Sequence, residues 1–144
     1  MGATSAQESA AGWTDEFVVT WDSFSIANIG AIADSTAHTF EYTIPLGSVV
    51  YNCGAELITA FDDSGGGAQL NVIVGDGDDD NGYLTTAALH TDQTEITKAV
   101  NTGALLATAS KAYAAADAID VKFSISGAAY TVNELTSGKV VFRF

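Results

Sequence analysis

AELITAFDDSGGGAQLNVIVG, Ala55 to Gly75, holds two runs with a period of two on either side of a glycine-rich break. In the first run Ala55, Leu57 and Phe61 fall on one face, opposite Glu56 and Ile58; in the second, Leu70, Val72 and Val74 share a face. Successive side chains of a strand point to opposite sides, so this alternation marks two half-buried β-strands. The break, Asp62 to Gly67, has turn chemistry, because glycine accepts positive φ and Asp or Ser side chains bond nearby amides. Together the two runs predict a β-hairpin.

The same period extends in both directions. Backwards, the first run continues to Ser48 and predicts one long strand, Ser48 to Phe61, with Val49, Tyr51 and Cys53 on the apolar face and Gly54 at a bulge or bend. Glu16 to Trp21 sets Phe17, Val19 and Trp21 on one side, and Thr39 to Ile44 sets Phe40, Tyr42 and Ile44 on one side until Pro45 stops it. Forwards, Ala118 to Ile125 and Lys139 to Phe144 repeat the pattern, the last with an aromatic end that predicts a C-terminus bonded into a sheet. Tyr83 to His90 reads as one or two helical turns, with Thr85 or Thr86 as N-cap. Residues 91 to 116 show no clear period, and residues 1 to 12 are small and polar. The expectation is a flexible N-terminal arm over residues 1 to 15 and a single domain over 16 to 144. That domain is all-β: an antiparallel two-sheet sandwich, jelly-roll-like, of seven or eight strands with one short helix at most. A barrel is the alternative.

Composition narrows the function. A chain of 144 residues with 47% apolar residues can bury one core. Of its 18 acids, 15 precede Lys98, the first basic residue, and the net charge is −13. Such a surface repels phosphate, which argues against nucleic-acid and anionic-membrane partners. No apolar run reaches the roughly 18 to 20 residues that cross a bilayer, and the start lacks the basic and hydrophobic regions of an export signal. The single cysteine, Cys53, forms no internal disulfide and supports no thiolate metal cluster; on its strand it reads as a buried, inert thiol.

Candidate chemistry centres on GDGDDDNGY, Gly75 to Tyr83. Asp76, Asp78 and Asp80 match positions 1, 3 and 5 of an EF-hand loop, but Asn81 stands where that loop has glycine and Ala87 where it has glutamate. The three aspartates therefore remain only weak candidates for calcium. The stretch reads better as an exposed acidic turn in which Gly75, Gly77 and Gly82 take unusual backbone angles, and no resident cofactor is expected. His38 and His90 read as surface or packing residues, and no serine or cysteine stands in a pattern with a base, so an enzyme is not expected. Trp13, Trp21, Tyr51, Tyr83 and Tyr130 are candidates for a sugar-stacking platform, with core the better reading of Trp21. Trp13, after the polar arm, and Phe17 are the candidate partner-binding residues.

Residues 47 to 84 add a resemblance. Thr59-Ala60-Phe61 at a strand end, the short glycine turn, Leu70 to Gly77 and the Asp-rich turn through Tyr83 resemble small structural proteins of tailed bacteriophages. A lone sandwich domain with a polar arm is similar, within that group, to capsid cement or decoration proteins. The resemblance implies a homotrimer that binds the outer surface of the assembled head and ties neighbouring major capsid proteins together. It implies a virion location after assembly in the host cytoplasm, which suits a chain without disulfides. A tail or fibre component, or a glycan-binding sandwich module, is the alternative.

Overall fold

The computed structural model describes residues 15–63, 65–107, 110–127 and 130–144. The alternating runs form β1 (Glu16–Thr20), β2 (His38–Ile44), β3 (Val49–Val50), β4 (Gly54–Asp63), β5 (Gln69–Gly75), β6 (Leu84–Ala88), β7 (Lys98–Val100), β8 (Lys111–Ala112), β9 (Asp117–Ser126) and β10 (Leu135–Arg143). A single α-helical turn, α1 (Ile26–Ile29), and two 3-10 turns complete the described elements. One sheet has the order β1-β10-β4-β7, the other β2-β9-β5-β6, with β3 and β8 as a separate two-stranded ribbon. Every strand pair is antiparallel. The chain passes from one sheet to the other at β1 to β2, β4 to β5, β6 to β7 and β9 to β10, which makes the expected sandwich a jelly roll in its strand order.

The core lies between the inner faces. Leu70, Val72 and Val74 of β5, Ile119, Val121, Phe123 and Ile125 of β9, and Val140 and Phe142 of β10 are all buried. Phe123 and Phe142 meet edge to face across the sandwich at 6.0 Å, as do Phe17 and Phe40. The ladder between β1 and β10 runs to the chain end, where Asp15 and Phe144 exchange backbone hydrogen bonds of 3.2 and 3.0 Å. The last residue assigned to the arm is thus held in the sheet, and residues 1 to 14, with Trp13, lie outside the described residues.

Five local expectations are corrected. Ala55 to Gly75 is an arch and not a hairpin, because β4 and β5 stand in opposite sheets. Its glycines bond away from the arch: Gly66 exchanges hydrogen bonds with the Tyr130 hydroxyl, and Gly67, at φ +91°, donates to Asp92 Oδ2. The hairpin within one sheet is β5 to β6, so Tyr83 to His90 holds a strand where helical turns were expected. Packing of Leu84 and Ala87 against the sheet overrides the weak helical propensity of a short segment. The predicted strand Ser48 to Phe61 is two elements, β3 and β4, and Val50 is buried in place of Val49. The bulge is not at Gly54, which pairs in register with Arg143: the register of β10 against β4 shifts instead between Leu135 and Val140, opposite Leu57 to Asp63 and around Gly138, at φ +133°. Trp21, read as core, is 42% exposed, because Ser23 Oγ accepts the Thr20 amide and ends β1 in a 3-10 turn (Trp21–Phe24) that buries Phe24 instead.

Candidate functional site

The acidic turn joins β5 to β6 and is anchored from beneath. Asp76 is 1% exposed; its Oδ1 accepts the amides of Asp78 and Asp79 at 3.0 and 3.1 Å, and its Oδ2 accepts the Tyr113 hydroxyl at 2.7 Å. The Tyr83 hydroxyl lies against that of Tyr113, and Lys111 Nζ stands 3.7 Å from Asp76 Oδ2. Burial by itself raises the Asp76 pKa, but the Tyr113 hydroxyl, the two amides and Lys111 together hold it below the ordinary value. Burial pushes the Tyr83 hydroxyl up to about 12, and burial with its tyrosine and aspartate neighbours pushes Tyr113 higher still, so both remain donors at neutral pH.

This arrangement separates the three aspartates that matched the calcium spacing. Asp76 points inward, Asp78 is paired with Lys111 at 3.4 Å and Asp80 with Lys122 at 3.7 Å. Their oxygens do not converge as a ligand set among the described residues. The expected glycine angles are also corrected: Gly75, Gly77 and Gly82 have no positive φ. Gly75 is required for space, since a Cβ there would lie 2.0 Å from the Asp79 carbonyl oxygen. The turn is thus held together by its own buried hydrogen bonds.

An open cleft lies elsewhere, where residues before β1, the end of β2, the β3 ribbon strand and the chain end meet. It encloses about 380 Å³ and is lined by Asp15, Tyr42, Ile44, Val49, Tyr51 and Phe144, among others. The Tyr42 and Phe144 rings stack at 5.2 Å on its floor. Burial, followed by the Asp15 carboxylate, pushes the Tyr42 hydroxyl well above its ordinary value. Asp15 Oδ1 is buried and makes no hydrogen bond of good geometry, with the Tyr42 hydroxyl as the donor beside its carboxylate. Val49 and Tyr51, which line it, are 43% and 65% exposed, and Leu46, next in the chain to the lining residue Pro45, is 67% exposed. The turn from Pro45 to Ser48, with Gly47 at φ +85°, holds these side chains outward.

The other singled-out residues fall in separate places. Phe17 is half-buried, its ring against Phe40 and Phe142. Tyr83 is fully buried and Tyr130 is tied to the arch, so of the three tyrosines offered as a sugar platform only Tyr51 presents a free ring. Cys53 is fully buried and burial pushes its thiol up. His38 is half-buried against Phe40 at 4.7 Å, and burial lowers its pKa. His90 is fully buried. The cleft was missed in the sequence because its residues are separated by up to 129 positions; the signal that pointed nearest was Leu46 within the Pro45-Leu46-Gly47 turn and Val49 just after it. The fold class is an all-β jelly-roll sandwich, with an open cleft beside Asp15 and Phe144. Compared with known proteins, the chain matches no family model, no curated sequence and no solved structure.

Proposed function

We propose that the chain is a non-enzymatic capsid cement protein of a tailed phage, binding the outer surface of the assembled head and joining neighbouring major capsid proteins. The observation that carries the reading is the cleft with its exposed apolar rim beside Asp15 and Phe144. Exposed Leu46, Val49 and Tyr51 beside a 380 Å³ cleft are costly in water and mark a surface made for contact. A second exposed apolar group, Val18, Trp21 and Ile26 along β1 and the turns after it, allows two neighbours to be touched at once. A protein that binds only the assembled lattice lowers the lattice free energy by mass action, and several weak contacts per oligomer add by avidity.

The test is occupancy on purified heads. Copy number comparable to the major capsid protein, with loss on deleting residues 2 to 12 or on the Leu46→Ser/Tyr51→Ser pair, supports cement. A handful of copies moves the chain to the tail, and absence from virions overturns the reading. A second reading rests on Tyr51, whose exposed ring beside the Asp15 carboxylate also suits a sugar that stacks and donates hydroxyls. Glycan-array binding lost in Tyr51→Ala supports that module in place of cement.

A further inference from the structure

The arch that ends β4 holds a second cluster, unconnected with the cleft. Asp62, Asp63 and His90 each offer one ligand atom, and the three atoms lie within 4.8 Å of one another. Two of the three side chains are sealed from solvent: His90 is 0% and Asp63 1% exposed. His90 Nε2 and Asp63 Oδ2 face each other at 3.4 Å outside hydrogen-bond geometry, and neither has another partner. The remaining atoms are already occupied. Asp63 Oδ1 accepts the Gly65 amide at 2.7 Å, Asp62 Oδ1 accepts the Asp63 amide at 2.9 Å, and His90 Nδ1 accepts the Asp92 amide at 3.2 Å. What is left unpaired in this buried place is the Asp63 Oδ2 acceptor and, facing it, His90 Nε2, which carries the ring hydrogen while Nδ1 accepts the Asp92 amide.

The geometry points to a site for a divalent first-row transition ion, zinc before the others, held by His90 Nε2, Asp63 Oδ2 and an oxygen of Asp62. Metal bonds of about 2.1 Å in a tetrahedron put donors about 3.4 Å apart, the separation of His90 Nε2 and Asp63 Oδ2. One imidazole and two carboxylates suit zinc, manganese or cobalt better than magnesium, which prefers oxygen alone. Two carboxylates balance the charge of the ion. The half-buried Asp62 leaves the fourth position on the solvent side, where water completes the sphere. Binding moves the ring proton: Nε2 gives up its hydrogen and Nδ1 takes one, which breaks the bond Nδ1 accepts from the Asp92 amide, so the Asp92 loop shifts to bring its carboxylate, 3.9 Å away, to the new Nδ1–H. The backbone is set in advance, since Gln93 Oε1 accepts the His90 amide and Phe61 exchanges backbone bonds with Leu89 and Thr91 on either side of His90. The ion would staple β4 in one sheet to the strand leaving β6 in the other.

Full-length protein stripped with EDTA is titrated with zinc and with cobalt alone, for wild type, Asp62→Asn, His90→Gln and an Asp78→Asn/Asp80→Asn control. The expected result is one ion per chain, an intense visible cobalt spectrum of low coordination number, and a Tm about 8 °C higher at a hundredfold excess over Kd. Asp62→Asn, half-buried and folded without metal, is expected to bind about tenfold weaker or worse, and the control to bind as wild type. Nitrogen NMR of His90 is expected to show the tautomer invert on adding zinc. Absent binding, equal affinity in wild type and Asp62→Asn, loss of binding in the control, or an unchanged His90 tautomer overturns the proposal; failure of His90→Gln to fold leaves Asp62→Asn as the deciding variant.

Discussion

At the scale of single residues, Asp76 shows how a carboxylate becomes structural. Its two oxygens are fully used by Tyr113 and two amides, so removal of one donor leaves buried polarity unpaired. Tyr113→Phe is expected to cost about 1–3 kcal/mol in chemical denaturation. Because the folded pKa of Asp76 lies below its unfolded value, its contribution is complete above about pH 4 and is lost as pH falls through the folded value. Asp76→Asn is expected to flatten the stability profile below pH 4. Asp120 behaves in the opposite sense. Burial first, then Glu41 directly across the ladder, raises its pKa, so folding favours its protonated form and ionisation destabilises the fold as pH rises through that value. Asp120→Asn is expected to raise stability at pH 7 by up to about 1 kcal/mol, with the gain vanishing well below pH 4, read from paired melts. Residue identity alone revealed none of these roles: four consecutive-looking aspartates differ only in which way the turn points them.

At the scale of elements, inward faces were legible wherever a strand was long and regular. β2, β5 and β9 bury the residues that their alternation assigned. Legibility failed at ends and irregularities. Trp21 continues the alternation of β1 on paper, but the strand stops one residue earlier and Phe24 takes the core place, with its ring 4.9 Å from Phe123. Phe24→Ala is expected to cost about 3–5 kcal/mol and Trp21→Ala under about 1 kcal/mol, compared by denaturant titration. Gly138 was unmarked in the sequence, yet its φ of +133° and the Phe61 ring 2.3 Å from any added Cβ leave room for glycine alone. Gly138→Ala is expected to lower Tm by about 10 °C, through strain and overpacking together.

At the scale of the molecule, net charge and topology act on different properties. A charge of −13 on a small sandwich repels itself, and the Debye length falls from about 30 Å at 0.01 M salt to about 8 Å at 0.15 M. Tm is therefore expected to rise by a few degrees across a sodium chloride series from 0.01 to 0.15 M. Composition and periodicity by themselves determined the all-β class, most inner faces and the acidic surface, because a period of two and a charge count are local or additive properties. Tertiary structure alone decided which sheet each strand joins. A glycine-rich turn such as Asp62 to Gly67 serves a hairpin and an inter-sheet arch equally well, and only the partners of β4 and β5 choose between them. That choice also decided the sites: the arch brings Asp62 and Asp63 to His90, and the sheet ladder brings Asp15 to Phe144 beside the cleft, convergences across tens of residues that no spacing in the chain encodes.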